Sequence, residues 1–493
     1  MFADTPIEKL EEVIIASKKA FDQFRELSIP KRLELMRTIA QEIEDLGQEL
    51  IDTAMEESNL PQARLVGEKA RTVFQWRSYA DAVARGDSLQ IQIDTGIVDK
   101  NPPKPDLRKT AVPLGPVVVF GASNFPFAFS TAGGDTASAI AAGCSVVVKA
   151  HPGHPKTSAI MAEAIERGIA KLHLPSAIFS HVYGASNASG TYLVQHPLVK
   201  AVAFTGSYNG GKALFDLANQ RKEPIPVFSE MGSINPLFLL PEKLAEDPSI
   251  LAKQYLGSLT LGTGQFCTNP GLVIAQQSAS LDAFLQELKN EIISLNPMPM
   301  LHAGIAAAYA KGCKSVLKQR GVDIVGEVTE SIDGKGSPLI VSTSVAQFLA
   351  NPVLSHEVFG PFGLIVVAQN DEELKQVAEK LEGQLTITLS ATSKDAIQNK
   401  GLIDILKGKC GRLLFNGFPT GVEVCGAMQH GGPFPATTDS RFTSVGPDAI
   451  KRFVKPLSYQ NWPDELLPEE LQNANPLGVW RRVNNEMTRD SIL

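Results

Sequence analysis

Val117-Val118-Val119-Phe120, then the small-residue stretch Ser130 to Ala142, then Ser145-Val146-Val147-Val148-Lys149 are the segments whose reading decides the fold. Each apolar run is too short for a helix and lacks polar alternation, as in strands buried on both faces, whereas the stretch between them has helical length. The order continues with a helix from Thr157 to Ala170, strands from Ile178 to Val182 and Ala201 to Phe204, and a helix from Lys212 to Ala218. Strands alternating with helices predict an α/β protein built on a parallel sheet, with ligands bound beyond the carboxyl ends of its strands.

Upstream, Thr5 and Glu8 have the spacing of a capping box, and Pro6 fits a first helical position. Ile7, Leu10, Val13, Ile14 and Phe21 form one apolar stripe. A second helix is expected from Pro30, with Leu33, Met36, Ile39 and Ile43 on one face. From Ser88 the pattern alternates through Leu89-Gln90-Ile91-Gln92-Ile93-Asp94 and then meets Asn101-Pro102-Pro103-Lys104-Pro105, which reads as a projecting hairpin.

A chain of 493 residues exceeds one hydrophobic core and implies two or three domains. Its net charge of −7 argues against a nucleic-acid partner, and no apolar run approaches the ~18 residues of a membrane span. The start, Met1-Phe2-Ala3-Asp4, lacks the charged and apolar regions of a secretory signal. The five cysteines are odd in number and show no metal spacing, so a reducing, cytoplasmic setting without a metal site is expected.

The cysteine in Thr263-Gly264-Gln265-Phe266-Cys267-Thr268-Asn269-Pro270-Gly271 sits in a turn, and other turns carry Asn124 and Glu230. A thiolate attacks a carbonyl, an amide holds the resulting oxyanion without exchanging its proton, and a carboxylate activates the water that removes an acyl group. Taken singly, each has an ordinary reading: a packing cysteine, a turn asparagine, an exposed loop charge. Cys144 reads as core, Cys313 and Cys410 as surface thiols beside lysines, and Cys425 as part of a glycine-rich segment.

Two turns address a nucleotide. In Phe204-Thr205-Gly206-Ser207-Tyr208-Asn209-Gly210-Gly211, Gly206 and Gly211 would admit a pyrophosphate at a helix N-terminus, although a generic strand–helix turn explains the run equally well. Lys149 ends a strand where a nucleotide ribose would lie, or where the strand simply meets solvent. The following Ala150-His151-Pro152-Gly153-His154-Pro155 contains no carboxylate, which favours NADP over NAD.

Gly121-Ala122-Ser123-Asn124-Phe125-Pro126, Val148-Lys149, Phe204-Thr205-Gly206-Ser207, Glu230-Met231-Gly232, Gly264-Gln265-Phe266-Cys267 and Glu357-Val358-Phe359-Gly360-Pro361 occur in one order across the whole chain. In that order and spacing the sequence resembles the aldehyde dehydrogenase superfamily. Val148 to Pro152, Phe228 to Pro236 and Gln429 to Thr438 are most similar to its NADP-preferring α-ketoglutaric semialdehyde (2,5-dioxopentanoate) dehydrogenase branch, with bacterial long-chain fatty aldehyde dehydrogenases close by.

The resemblance implies a Rossmann-type cofactor domain (1–87 and 113–230), an α/β catalytic domain (231–428), oligomerisation strands (88–112 and 450–457) that pair across a subunit boundary, and a C-terminal extension (458–493). It implies a homodimer or homotetramer acting on a small aldehyde. Cys267 would be the nucleophile, Asn124 and the Cys267 N–H the oxyanion hole, and Glu230 the base for thioester hydrolysis. Lys149 would hold the adenosine ribose, Ser207 the pyrophosphate and Glu357 the nicotinamide ribose, with Phe359 nearby. Phe127, Phe266, Phe418 and Phe434 would line the aldehyde channel, or pack in the core. Arg441 or Arg108 would clamp a substrate carboxylate, or be a surface charge.

Two departures stand out: Ala122-Ser123 where many relatives carry Pro-Trp, and Met231-Gly232-Ser233-Ile234 where many carry Leu-Gly-Gly-Lys. The presence of Glu230 favours release of the acyl group to water over transfer to coenzyme A. Fatty aldehyde oxidation is the nearest rival. A cysteine-dependent thiol hydrolase or acyltransferase is the rival from another class, and it requires a histidine that the sequence does not tie to Cys267.

Overall fold

A computed structural model describes residues 2–330, 332–419 and 421–492. The expected strands form a five-stranded, wholly parallel sheet in the order Phe179–Val182, Val146–Lys149, Val117–Phe120, Ala201–Thr205, Val227–Glu230. The chain steps outward from Val117–Phe120 on one side, then returns to build the other. The crevice beyond Phe120 and Phe204 is therefore the point where strand order reverses and ligands bind.

Long helices cover one face. Ile29–Glu44 and Gln62–Arg85 bury Leu35, Met36, Ile39, Trp76 and Tyr79 in one cluster with Val117, Val119, Val146 and Val148. The first helix runs from Ile7 to Phe24 without the expected capping box: the Thr5 hydroxyl instead accepts a hydrogen bond from the Tyr183 N–H at 3.0 Å. A tertiary partner has replaced a local one.

The second sheet has seven strands, in the order Val322–Glu327, Leu339–Ser344, Phe362–Ala368, Leu272–Gln276, Leu237–Leu239, Gln384–Ser390, Cys410–Phe415. It is parallel except at its first pairing. The chain crosses between the sheets after Glu230 and returns at residues 436–438, where the Met231 N–H bonds the Ala436 carbonyl at 2.8 Å and the Thr438 N–H bonds the Ser229 carbonyl at 3.2 Å. That return places the end of the chain against both sheets.

The projecting hairpin belongs to a third sheet in the order Val454–Gln460, Leu107–Pro113, Gln92–Asp94, Arg481–Val483, Glu486–Thr488. Two expectations are corrected here. The late strand begins at Val454, because Pro447–Phe453 is a 3-10 helix, and it pairs antiparallel with Leu107–Pro113 of its own chain rather than across a subunit boundary. The C-terminal extension is part of the same sheet, through the parallel pairing of Gln92 and Ile93 with Arg482 and Val483.

Candidate active site

Cys267 is positioned by backbone that few residues adopt. The turn before it holds Gly262, Thr263 and Gly264 at φ of 56°, 58° and 65°. For Thr263 this left-handed conformation is strained. Gly264 has no alternative, since a Cβ there would lie 2.3 Å from the Gly360 carbonyl. Asn235 clamps the other side, its amide donating to the carbonyls of Cys267 (2.8 Å) and Asn269 (3.0 Å). Ser233 bonds Asn235 and Gln384, both at 2.9 Å, so the departure from Leu-Gly-Gly-Lys supplies a support for the nucleophile's turn.

Glu230 ends the last strand of the first sheet, and its side chain is buried. His430 Nε2 lies 3.0 Å from Glu230 Oε1 and 3.5 Å from Cys267 Sγ, and the Ser444 hydroxyl donates to Glu230 Oε2 at 2.9 Å. Burial works to raise the Glu230 carboxyl, but the charge and hydrogen bond of His430 and the Ser444 hydroxyl together hold it below the usual range. The Cys267 thiol is pushed well up, first by burial and then by the Glu230 charge, with Arg71 opposing. The resting pair is a thiol beside a carboxylate.

The Asn124 amide donates to the Gln265 carbonyl at 3.2 Å, which places it beside the Cys267 turn. Arg64 fixes that loop: its guanidinium donates to the Asn124 carbonyl at 2.6 Å and lies over the rings of Phe125 (4.7 Å) and Phe266 (4.6 Å). Phe125 also meets Phe129 edge-on at 5.3 Å, and Phe129 meets the His430 ring at 6.2 Å. The rings packed beside the Cys267 and Asn124 turns are thus Phe125, Phe129 and Phe266.

Several expected residues lie elsewhere. Phe127 is fully buried in the helix-covered core with Trp76 and Tyr79, and Phe418 packs against Tyr255 of the second sheet's core. Phe434 is exposed and meets Tyr208 rather than Cys267. Arg441 is a surface residue paired with Asp439, and Arg108 is buried in the third sheet between Asp106, Asp464 and the Leu471 carbonyl. Both guanidinium groups are already committed.

On the nucleotide side, Lys149 ends its strand partly buried, and among the described residues it makes no hydrogen bond or ion pair. Ser207 caps the helix Tyr208–Asn219, accepting from the Gly210 N–H at 3.3 Å. Gly206 stands between strand and cap, whereas Gly211 serves packing: a Cβ there would lie 2.6 Å from Met231 Cγ. Glu357 is exposed at the rim, yet its carboxylate abuts Gly232, where a Cβ would come within 2.5 Å of Oε2; the surrounding walls push it up to about 7. Phe359 and Glu357 line one cavity with Ser233, Gly264 and Asn269.

The premise that no carboxylate stands near Lys149 holds only along the sequence. Asp4 accepts hydrogen bonds from the N–H groups of Ala185 (2.6 Å) and Ser186 (3.1 Å), at the start of the helix Asn187–Gln195. A Cβ on the adjoining Gly184 would lie 3.0 Å from Lys149 Cε, so the Asp4 charge shares the surroundings of the lysine.

Residues 2–433 match the model of the Aldehyde dehydrogenase family. The chain belongs to the aldehyde dehydrogenase family. This aldehyde dehydrogenase is 43% identical to α-ketoglutaric semialdehyde dehydrogenase of Acinetobacter baylyi, over 99% of this chain and 93% of that protein. It is 47% identical to α-ketoglutaric semialdehyde dehydrogenase 2 of Azospirillum brasilense, over 96% and 90%. Among solved structures, betaine aldehyde dehydrogenase of Staphylococcus aureus in complex with NAD+ aligns with a TM-score of 0.79 at 19% identity, over 94% of this chain and 91% of that one. Glyceraldehyde-3-phosphate dehydrogenase of Methanocaldococcus jannaschii with NADP aligns at 0.77 and 18%, over 93% and 95%. The two neighbours share the fold and carry different cofactors.

His430 is the site residue that sequence reasoning passed over, along with Phe125, Phe129, Arg64 and Arg71. His430 sits inside the run Gln429 to Thr438, which marked the branch but carried no spacing to Cys267. The arginines had a local signal: Arg64, Glu68 and Arg71 recur at helical spacing on one face of Gln62–Arg85.

Proposed function

We propose that this enzyme oxidises 2,5-dioxopentanoate to 2-oxoglutarate with NADP or NAD, through a thiohemiacetal and a thioester on Cys267, and releases the acid to water. The observation that carries the reading is the contact of Cys267 and Glu230 with one histidine nitrogen, in a chain so similar to two proteins named for that semialdehyde. The Cys267 proton passes to Glu230 as Sγ bonds the aldehyde carbon, and the oxyanion is held by the Asn124 amide and the Cys267 N–H. A bound nicotinamide supplies the hydride acceptor that turns the adduct into a thioester. Glu230 releases the thiol proton to solvent and then takes one from water, whose oxygen bonds the acyl carbon as the C–S bond breaks and the thiolate leaves. His430 Nε2 donates to Glu230 and faces the sulfur, so one N–H steadies whichever of the two is charged.

The cofactor reading rests on the residues that fit a dinucleotide. Lys149 would bond the adenosine ribose, Ser207 and Gly206 would border the pyrophosphate, and Glu357 would accept from the nicotinamide ribose. The missing carboxylate after Lys149 supports NADP, and Asp4 limits that preference. We take residues 1–87 with 113–230 as the cofactor unit and 231–428 as the catalytic unit. The edge strand Val454–Gln460, with Leu457 and Trp462 exposed, is the surface for a homodimer or homotetramer. Among the described residues no helix is long and apolar enough to cross a membrane.

A thiol hydrolase gains from His430 beside Cys267, but the ring is used wrongly for a relay. Cysteine and glutamate face the same Nε2, while among the described residues the buried Nδ1 has no hydrogen-bond partner; a Cys–His–carboxylate relay needs both nitrogens. The test is kcat/KM for 2,5-dioxopentanoate, succinic semialdehyde and dodecanal with each cofactor, read as reduced-cofactor absorbance. The dioxo acid is expected to lead. A lead for dodecanal gives the enzyme to fatty aldehydes, absence of reduced cofactor from every aldehyde removes the reading, and a requirement for coenzyme A removes its hydrolytic half.

A further inference from the structure

Three arginines bring positive charge to the surroundings of Cys267. Arg64 and Arg71 lie seven residues apart on one face of Gln62–Arg85, with Glu68 between them, and Arg412 comes from the last strand of the second sheet. Glu68 faces both guanidinium groups with its charge but bonds neither: its Oε1 accepts from the N–H groups of Phe127 (2.8 Å) and Ala128 (3.0 Å). Arg64 is held by Asn124 and the two phenylalanine rings.

Arg71 and Arg412 are less committed. Arg71 lies over the Phe129 ring at 5.2 Å, and its Nε and Nη2 are buried without a hydrogen-bond partner among the described residues. Arg412 donates from both Nη1 and Nη2 to the Gly421 carbonyl at 3.3 Å and reaches Met428 Sδ at 3.6 Å, while its Nε is buried and, among the described residues, unbonded. Phe129 and Met428 belong to one apolar cluster with Val424 and Phe125, so the two guanidinium groups flank the same wall. Buried arginine nitrogens without partners are costly unless something of opposite charge meets them.

We infer that Arg71 and Arg412 receive the carboxylate at the far end of the aldehyde substrate while its carbonyl carbon sits at Cys267. A guanidinium is planar and presents parallel donors, the geometry a carboxylate accepts. In 2,5-dioxopentanoate the carboxylate lies four carbon–carbon bonds from the aldehyde, and the Phe125, Phe129 and Phe266 rings enclose the methylenes between. The same charges explain why Arg71 opposes the upward push on the Cys267 thiol. This rests on the substrate reading above and names the side chains that would enforce it. Arg441 and Arg108, tied up elsewhere, are replaced in that role.

The experiment compares 2,5-dioxopentanoate with pentanal, an uncharged aldehyde of the same length, in wild type, Arg71→Met and Arg412→Met. Loss of a charge-assisted pair is expected to lower kcat/KM for the dioxo acid about 10- to 100-fold more than for pentanal, the difference lying mainly in KM. Equal losses for both substrates would show that the arginines act on the thiol or the fold, and no loss would show that they face no carboxylate; either overturns the clamp. Should a variant fail to fold, inhibition of wild-type pentanal oxidation by glutarate decides: competitive inhibition supports the site and its absence overturns it. A wild type that favours pentanal over the dioxo acid defeats the substrate reading itself, whereas a wild-type preference that survives in both variants defeats only the clamp.

Discussion

His430 holds Nε2 at 3.0 Å from Oε1 of Glu230, a residue 200 positions earlier in the chain, with both side chains buried. A carboxylate only accepts, so the imidazole N–H donates to it, and the Cys267 sulfur at 3.5 Å lies on the same nitrogen. His430→Ala is expected to lower kcat about 100-fold or more, as for loss of a positioned proton-handling group, while leaving cofactor affinity unchanged. Glu230→Gln is expected to differ in kind: with the acceptor of both the thiol proton and the water proton gone, one equivalent of reduced cofactor forms slowly and an acyl-enzyme, visible by intact mass, persists. Rapid mixing with mass analysis separates the two, and steady turnover by Glu230→Gln would contradict its role as base.

Cofactor binding should carry the signature of Glu357. Although the residue is exposed at the rim, the protein walls around its carboxyl strip water from it and push it up to about 7, so it is largely protonated below that value and ionised above it. An ionised carboxylate accepts both ribose hydroxyls and attracts the oxidised nicotinamide, so affinity is expected to rise as pH increases through about 7. Fluorescence titration across that range checks it, and Glu357→Gln should flatten the curve.

Asp4 tests the balance between the two cofactors. Its carboxylate, held by Ala185 and Ser186, shares the surroundings of Lys149 and would repel an adenosine 2′-phosphate more than a bare ribose. Asp4→Asn is expected to raise the ratio of kcat/KM for NADP over NAD severalfold, and the gain should shrink with added salt. A ratio that does not move would separate Asp4 from cofactor choice.

Arg108 should behave as a structural residue. Its side chain, 8% exposed, joins Asp106, Asp464 and the Leu471 carbonyl and so ties the hairpin to the C-terminal extension. Arg108→Ala is expected to cost about 2 kcal/mol by removing its hydrogen bonds to the half-buried Asp106 and Asp464 and to the Leu471 carbonyl, measured by denaturant unfolding, without changing kcat/KM per folded enzyme.

The first sheet was legible because its strands are apolar on both faces and its helices keep their period, which are local properties. Val117–Phe120, Val146–Lys149 and Ala201–Thr205 stand within a residue of their sequence reading. Cys267, Glu230 and Asn124 were legible as members of a motif series in fixed order. Which arginine, which phenylalanine and which histidine join them was not, since those contacts close over long separations and leave no spacing in the chain.

By itself, then, the sequence determined an α/β chain with a parallel sheet and named Cys267, Glu230 and Asn124 through their chemistry. Only the tertiary structure decided that His430 joins the pair, that Phe129 rather than Phe127 meets the His430 ring, that Arg71 Nε and Nη2 have no hydrogen-bond partner among the described residues while Arg108 and Arg441 are paired, and that Asp4 brings a negative charge to Lys149. Strand and helix patterns follow from neighbours a few residues apart. A site assembled from segments brought together by two sheets and a returning strand depends on packing, and packing is written in no single stretch of the chain.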